Sequence, residues 1–315
     1  MKIVLTDCKT VTRGDIDLSV FDSFGETEYY DLTPPDKLIQ RIKDADVIIC
    51  NKTVISAEVM EAAKNLKYIG LFATGFNNID IDYANKRGIT VCNAGSYSTG
   101  AVAQQVFAYI LNHYNRVSEY NDFVNKGGWK ESETFSPFIY KMQELAGKKI
   151  GIIGYGSIGK EVAKIANAFS MEVLAYKRTP AEDETVKFTD IDTLVKESDI
   201  VTVHCPLNKQ SEKMFDSEMF GKFKDGAYFI NTARGGVVDE DALKQALLSG
   251  KLSGAAIDVL SAEPMQQSCE LINLPGLTVT PHVAWAPLET RKRLLSIVTD
   301  NLKCFIKGTP KNVIK

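Results

Sequence analysis

The sequence predicts an α/β protein built on parallel sheets. Short apolar runs such as Val47-Ile48-Ile49-Cys50 and Ile200-Val201-Thr202-Val203 show no polar alternation, as strands buried on both faces require. Longer segments with helical spacing separate these runs, and the strand and helix signals alternate along the chain. The length of 315 residues suggests about two domains.

Taken in order, the first strands are expected at 2–6, 47–50, 68–72 and 89–92. A long helical stretch follows over 98–125, where Val102, Val106, Phe107, Ile110 and Leu111 share one face. The segment after Gly127-Gly128-Trp129 has no period but holds Phe135, Pro137, Phe138 and Tyr140. It reads either as a packed surface loop or as an arm that packs on a second subunit. A second set of strands is expected at 149–153, 172–176, 200–204, 227–231, 255–259 and 277–280. The amphipathic tail over 288–305, with Leu294, Leu295, Ile297, Val298 and Leu302, must pack back on existing structure. A discontinuous first domain is one solution.

The charge balance is near neutral, −3 from 37 basic and 40 acidic residues, so no global basic field points to nucleic acid or a membrane surface. The apolar run at the N-terminus is too short for a signal peptide and is broken by Asp7. No apolar stretch has the length of a membrane span. The six cysteines are scattered without a CxxC pair, which fits free thiols in a reducing cytoplasm. The three histidines have no metal spacing, so no metal is expected.

The strongest local motif is Gly154-Tyr155-Gly156-Ser157-Ile158-Gly159, set between an apolar strand and a helical pattern. In that context it predicts a dinucleotide site. The first glycine permits the turn, the second lets the backbone approach a pyrophosphate, and the third lets helix and strand pack closely. The helix N-terminus favours the anion. At the end of the next strand an NAD site usually carries an acid that bonds the ribose hydroxyls. Here the chain reads Lys177-Arg178-Thr179. Two cations attract a 2′-phosphate, which leans the expectation to NADP(H) over NAD(H). An exposed basic loop is the plainer alternative.

Three more strands end on chemistry-bearing loops: Asn231-Thr232-Ala233-Arg234-Gly235, Asp258-Val259-Leu260-Ser261-Ala262-Glu263-Pro264 and Thr280-Pro281-His282-Val283. In open α/β sheets ligands bind past the C-terminal ends of strands. Ketone reduction needs a proton donor, and histidine suits neutral pH. A neighbouring carboxylate orients the imidazole and favours its protonated form. Arginine grips a substrate carboxylate and polarises its carbonyl. Taken singly, Arg234 also reads as a structural cap, Glu263 as a solvated acid and His282 as a packed histidine.

At these residues the chain resembles the D-isomer-specific 2-hydroxyacid dehydrogenase family. The resemblance runs nearly end to end, through the glycine turn, the three loop motifs and Ala73-Thr74-Gly75-Phe76-Asn77-Asn78-Ile79-Asp80. It implies two doubly wound parallel-sheet domains with the active site in their cleft. These are a Rossmann coenzyme domain over 99–285 and a flavodoxin-like substrate domain made of 1–98 and 286–315. It also implies that Arg234 binds the substrate's carboxylate and carbonyl, with His282 the acid/base and Glu263 its partner. Lys52 and the backbone at Thr74 and Gly75 would hold the carboxylate. Thr232, Ala233, Asp258 and the Cys205-Pro206 turn would contact the coenzyme, and a homodimer would form through the long helix and the aromatic arm. Within the family, Asn51-Lys52-Thr53 and Pro281-His282-Val283-Ala284-Trp285-Ala286 resemble glycerate dehydrogenases, also called hydroxypyruvate reductases.

The expected activity is reduction of hydroxypyruvate- or glyoxylate-type 2-oxo acids. The alternatives are a dinucleotide-sensing binding protein, formate oxidation, or a dehydrogenase for phenylpyruvate, 2-ketogluconate or phosphoglycerate. A pure sensor need not keep the Arg–Glu–His set.

Overall fold

A computed structural model describes residues 1–179 and 182–315. The chain divides into two compact units, Met1–Ser98 with Ala286–Lys315, and Thr99–Trp285. Each is a parallel sheet flanked by helices.

The first unit begins with β1 (Lys2–Leu5), β2 (Glu26–Tyr29), α1 (Pro35–Ile42) and β3 (Val47–Cys50). It continues through α2 (Ala57–Ala62), β4 (Tyr68–Leu71), α3 (Ile81–Lys86) and β5 (Thr90–Cys92). The strand order is β2-β1-β3-β4-β5. Every residue of β3 and β4 is buried, which is why these strands are legible as continuous apolar runs. β2 escapes that reading because Glu26-Thr27-Glu28-Tyr29 forms an edge that pairs only with β1. An edge strand needs no apolar run, and its charges discourage pairing with another chain.

The second unit opens with α4 (Thr99–Asn115) and α5 (Val117–Asn125). The expected single helix is therefore two, broken where Arg116 takes a left-handed conformation with φ 54°. No glycine or proline marks that break in the sequence. After an irregular stretch come β6 (Lys149–Ile153), α6 (Ser157–Ala168), β7 (Glu172–Tyr176), β8 (Lys187–Phe188), α7 (Ile191–Glu197) and β9 (Ile200–Val203). Then follow α8 (Ser217–Lys222), β10 (Ala227–Asn231), α9 (Glu240–Leu248), β11 (Leu252–Ile257) and β12 (Leu277–Val279). The order is β12-β11-β10-β9-β6-β7-β8. The two-residue edge strand β8 carries too short a signal to be seen in sequence.

The chain then returns to the first unit as α10 (Leu288–Ile306), which buries Leu294, Val298 and Leu302. Phe305 of α10 packs on Tyr68 of β4 with ring centroids 4.8 Å apart. Fully burying each of Leu294, Val298 and Leu302 is worth roughly 1.5–3 kcal/mol, which favours docking of this amphipathic helix on the first unit.

Both strand orders reverse at a switch point. In the first sheet it lies between β1 and β3, and in the second between β6 and β9. The chain leaves adjacent strand ends there in opposite directions and opens a crevice. α2, α3, α7, α8 and α9 start on a side-chain cap: Ser56, Asp80, Asp190, Asp216 and Asp239 each accept a backbone N–H. α6 starts instead on Gly156 without a side-chain cap.

His113 of α4 stacks on Tyr228 with centroids 4.1 Å apart, and burial lowers its imidazole from 6.5 to about 4. The unfolded chain then takes up a proton that the folded one refuses, so stability falls as pH drops from about 6.5 to 4. Thermal melts across that range should show this loss, and His113→Gln should flatten it. An unchanged slope in the variant would refute the assignment.

Candidate active site

The glycine turn sits at the switch point of the second sheet. Gly154 has φ +101°, and a Cβ there would lie 2.6 Å from the His204 carbonyl carbon. A Cβ on Gly159 would lie 2.5 Å from the Gly154 carbonyl oxygen, so this glycine lets α6 seat against the turn. A Cβ on Gly156 meets nothing within 4 Å and would project into open space. Two glycines are thus required by packing, and the third keeps the helix start open. Tyr155 turns inward: its ring is buried against Phe188, and its hydroxyl donates to Asp183 at 2.6 Å. Tyr155 nonetheless lines the space beside the turn. Ser157 and Ile158 form the first turn of α6.

A cavity of about 550 Å³ opens beside the turn. Its walls include Gly154, Gly156, Lys177, Arg178, Thr179, His204, Cys205 and Pro206. Lys177, Arg178 and Thr179 are exposed, and Arg178 donates to Gln210 at 2.8 Å. No carboxylate stands among the described residues lining this space. Downstream of β7, Asp183 accepts the Tyr155 and Thr185 hydroxyls, which hold it below the usual carboxylate range. His204 is neutral, because burial lowers it to about 3. Two buried polar atoms lack a partner, His204 Nδ1 in this lining and Thr232 Oγ1 in the loop after β10. The open cradle at Gly156, the exposed cations and the orphaned Thr232 hydroxyl fit a dinucleotide.

The loops after β10, β11 and β12 come together within the same unit. Asn231 is buried and bends the first loop: its side chain donates to the Arg234 carbonyl at 2.9 Å and accepts from Ala233 N–H at 3.0 Å. The Arg234 guanidinium donates to the Ala233 carbonyl at 2.7 Å. Gly235 presses on the Leu260–Ser261 backbone so closely that a Cβ could not be placed there. That packing ties the Arg234 loop to the Glu263 loop. Glu240 of α9 accepts the Ser261 N–H at 2.7 Å, and Glu263 accepts the Leu260 N–H at 3.1 Å. The other Glu263 oxygen accepts from His282 Nδ1 at 2.7 Å. With Nδ1–H committed to Glu263, the imidazole presents Nε2 outward.

His282 has φ 54°, a strained backbone for histidine. Its N–H bonds the Asp258 carbonyl at 2.7 Å. The buried Asp258 carboxylate accepts N–H groups from Val283 at 2.9 Å and Ala284 at 2.8 Å, and the Thr280 hydroxyl as well. Since the Thr280 proton goes to Asp258, the Tyr109 hydroxyl donates to Thr280. The Asp258 carboxylate is thus spent on shaping the loop that carries His282.

In the first unit, Lys52 follows β3 and the 74–75 turn follows β4. The buried Asp7 carboxylate accepts three consecutive N–H groups, from Asn51 at 2.9 Å, Lys52 at 2.6 Å and Thr53 at 2.8 Å. Thr74 is exposed, and its hydroxyl bonds the Gly95 carbonyl. No motif spacing marks Asp7 or Glu240. Asp7 is legible only by the rule that singles out Asp258, a polar residue just past an apolar strand. Glu240, inside a helical pattern, carries no such signal.

Among the described residues no cluster of potential ligands is placed to hold a metal, and no helix is long and apolar enough to cross a membrane. All six cysteines are free thiols.

The profile of the D-isomer specific 2-hydroxyacid dehydrogenase NAD binding domain matches residues 107–284. A hydroxypyruvate reductase of Blautia hydrogenotrophica is 39% identical, over 100% of this chain and 99% of its own. A glycerate dehydrogenase of Methylorubrum extorquens is 37% identical, over 91% of each chain. A D-lactate dehydrogenase of Aquifex aeolicus, solved with NAD and lactic acid, is 31% identical with a TM-score of 0.85, over 98% of this chain and 96% of its own.

The glycines separate binding from folding. Gly156→Val should melt like the wild type yet lose about tenfold or more in NADPH affinity by fluorescence titration, since a wedged side chain costs roughly 1–3 kcal/mol. Gly159→Val should instead lower the melting temperature. Unchanged NADPH affinity in Gly156→Val would remove this turn from the binding site.

Proposed function

The chain belongs to the D-isomer specific 2-hydroxyacid dehydrogenase family, and we propose that it reduces 2-oxo acids of the hydroxypyruvate and glyoxylate type, with NADPH favoured over NADH. It is an oxidoreductase that uses a nicotinamide dinucleotide. The hydroxypyruvate and glycerate specificities of its relatives support the substrate class. The observation that carries the reading is the 2.7 Å contact between His282 Nδ1 and Glu263.

The bound nicotinamide supplies the hydride. His282, held by Glu263, donates a proton from Nε2 to the substrate's carbonyl oxygen as negative charge develops there. Glu263 accepts the Nδ1–H and so fixes the tautomer and ring orientation, and its own position is set by the Leu260 N–H. Arg234 grips the substrate carboxylate and draws electron density from the carbonyl; Lys52 and the backbone of Thr74 and Gly75 are assigned to the same carboxylate. Gly154, Gly156 and Gly159 shape the pyrophosphate cradle, with Ser157 and Ile158 opening the helix behind it. Thr232, Ala233, Asp258, Cys205 and Pro206 are assigned to the coenzyme, Asp258 through the loop that it folds. Lys177, Arg178 and Thr179 at the end of β7 are assigned to a 2′-phosphate, for which no carboxylate competes among the described residues of the cavity lining.

The aromatic segment supports a homodimer. Phe135 and Phe138 are 89% and 87% exposed in the single chain, so it is not packed down as a surface loop at these rings. Exposed apolar surface of this kind marks a partner site.

Three measurements test this. His282→Gln should lower kcat at least about a hundredfold, the scale of general acid catalysis, with NADPH binding retained; wild-type turnover would sink the role. Lys177→Asp should raise the KM for NADPH and lower that for NADH, whereas a strong wild-type preference for NADH would contradict the charge reading. Sedimentation should give a dimer that Phe135→Ser with Phe138→Ser converts to monomer; a monomeric wild type would rule out the dimer.

A further inference from the structure

We propose that Asn312, Asn301 and Asn93 form a relay that sets the orientation of the Thr74–Gly75 peptide, and that they are positioning residues for the substrate carboxylate. The inference rests on the assignment of that turn to the carboxylate.

The relay lies within the first unit. Asn312 Nδ2 donates to Asn301 Oδ1 at 2.9 Å. Asn301 Nδ2 donates to the Asn93 carbonyl at 2.8 Å. Asn93 Nδ2 donates to the Thr74 carbonyl at 2.7 Å, and Asn93 Oδ1 accepts the Gly95 N–H at 3.2 Å. The segment carrying Asn312 is itself fastened, because the Asn312 carbonyl accepts Asn93 N–H at 3.2 Å and Ile314 N–H reaches the Val91 carbonyl at 2.8 Å.

Asn301 sits inside α10 and is 3% exposed. Asparagine is a poor helix former, and a buried amide is tolerated only when bonded. An apolar residue would serve packing better, so the position is not explained by the core. Its oxygen and nitrogen are both used, one toward Asn312 and one toward Asn93.

The consequence lies in the peptide geometry. In a trans peptide the carbonyl of one residue and the N–H of the next point in opposite directions. Asn93 takes the Thr74 carbonyl, so the Gly75 N–H is turned the other way, away from the 93–95 turn. A second bond, from the Thr74 hydroxyl to the Gly95 carbonyl, holds the same face inward. The exposed turn is thereby fixed as a donor. If the peptide flipped, it would present an oxygen to an anion and repel it.

The test uses the full chain with NADPH, measuring the KM for hydroxypyruvate, the inhibition constant of oxalate, the KM for NADPH and the melting temperature. Asn93→Ala should raise the first two together by about tenfold, the scale of one hydrogen bond to a charged group, with kcat and the KM for NADPH within about twofold. Asn301→Ala should act in the same direction. Asn312→Gly is the mild variant: at φ 53° glycine fits the backbone, and it removes only the outer link. It should raise both constants by a smaller factor with an unchanged melt, and it decides the matter if Asn301→Ala does not fold. Unchanged constants in folded Asn93→Ala and Asn312→Gly would overturn the relay. Lys52→Ala separates the two levels. If it raises the constants while the asparagine variants do not, the relay alone fails. If it also leaves them unchanged, the assignment of the carboxylate to this unit fails.

Discussion

Two buried carboxylates, each just past the end of a parallel strand, demand donors, and the structure bends its loops to supply them. Asp258 follows β11 and Asp7 follows β1. Each is less than 5% exposed. Burying an unpaired carboxylate costs several kcal/mol, and bonds to a charged group return roughly 1.5–3 kcal/mol each. The nearest donors are backbone N–H groups on the loop leaving the neighbouring strand. Asp7 therefore wraps 51–53 after β3, and Asp258 wraps 282–284 after β12. The left-handed φ of His282 is a product of that wrapping, and the orientation of its side chain toward Glu263 follows.

The same logic of unmet donors governs the glycine turn. α2, α3, α7, α8 and α9 spend an Asp or Ser on their first N–H groups, whereas α6 begins on glycine. Its positive end is left for an anion, and the space beside Gly156 gives that anion room. Lys177 and Arg178 extend the positive field along the end of β7, and the Asp183 oxygens are engaged by the Tyr155 and Thr185 hydroxyls.

Positioning in both units is carried by short polar bonds behind the atoms proposed to act. Asn231, Glu240 and Asp258 hold the Arg234, Glu263 and His282 loops, while Asp7 and Asn93 hold the 51–53 and 74–75 loops. A bonded backbone loses little freedom when substrate arrives, so binding energy is retained for the reacting geometry.

The α/β class, the glycine turn and the loop-end residues Arg234, Glu263 and His282 were determined by the sequence alone, because each depends on local pattern. A buried parallel strand needs an apolar run, and a tight turn needs glycine. The edge strands β2 and β8 and the break at Arg116 were decided by tertiary structure, since an edge needs no apolar face and a left-handed arginine carries no signature. Tyr155, which stands inside the glycine motif, was sent into the core by Phe188 and Asp183, partners distant in sequence. The contact between Glu263 and His282 spans 19 residues, and the bond between Asn301 and Asn93 spans 208. Residue spacing records what each strand end carries; only the packing of the loops and the return of α10 decide which of those groups meet.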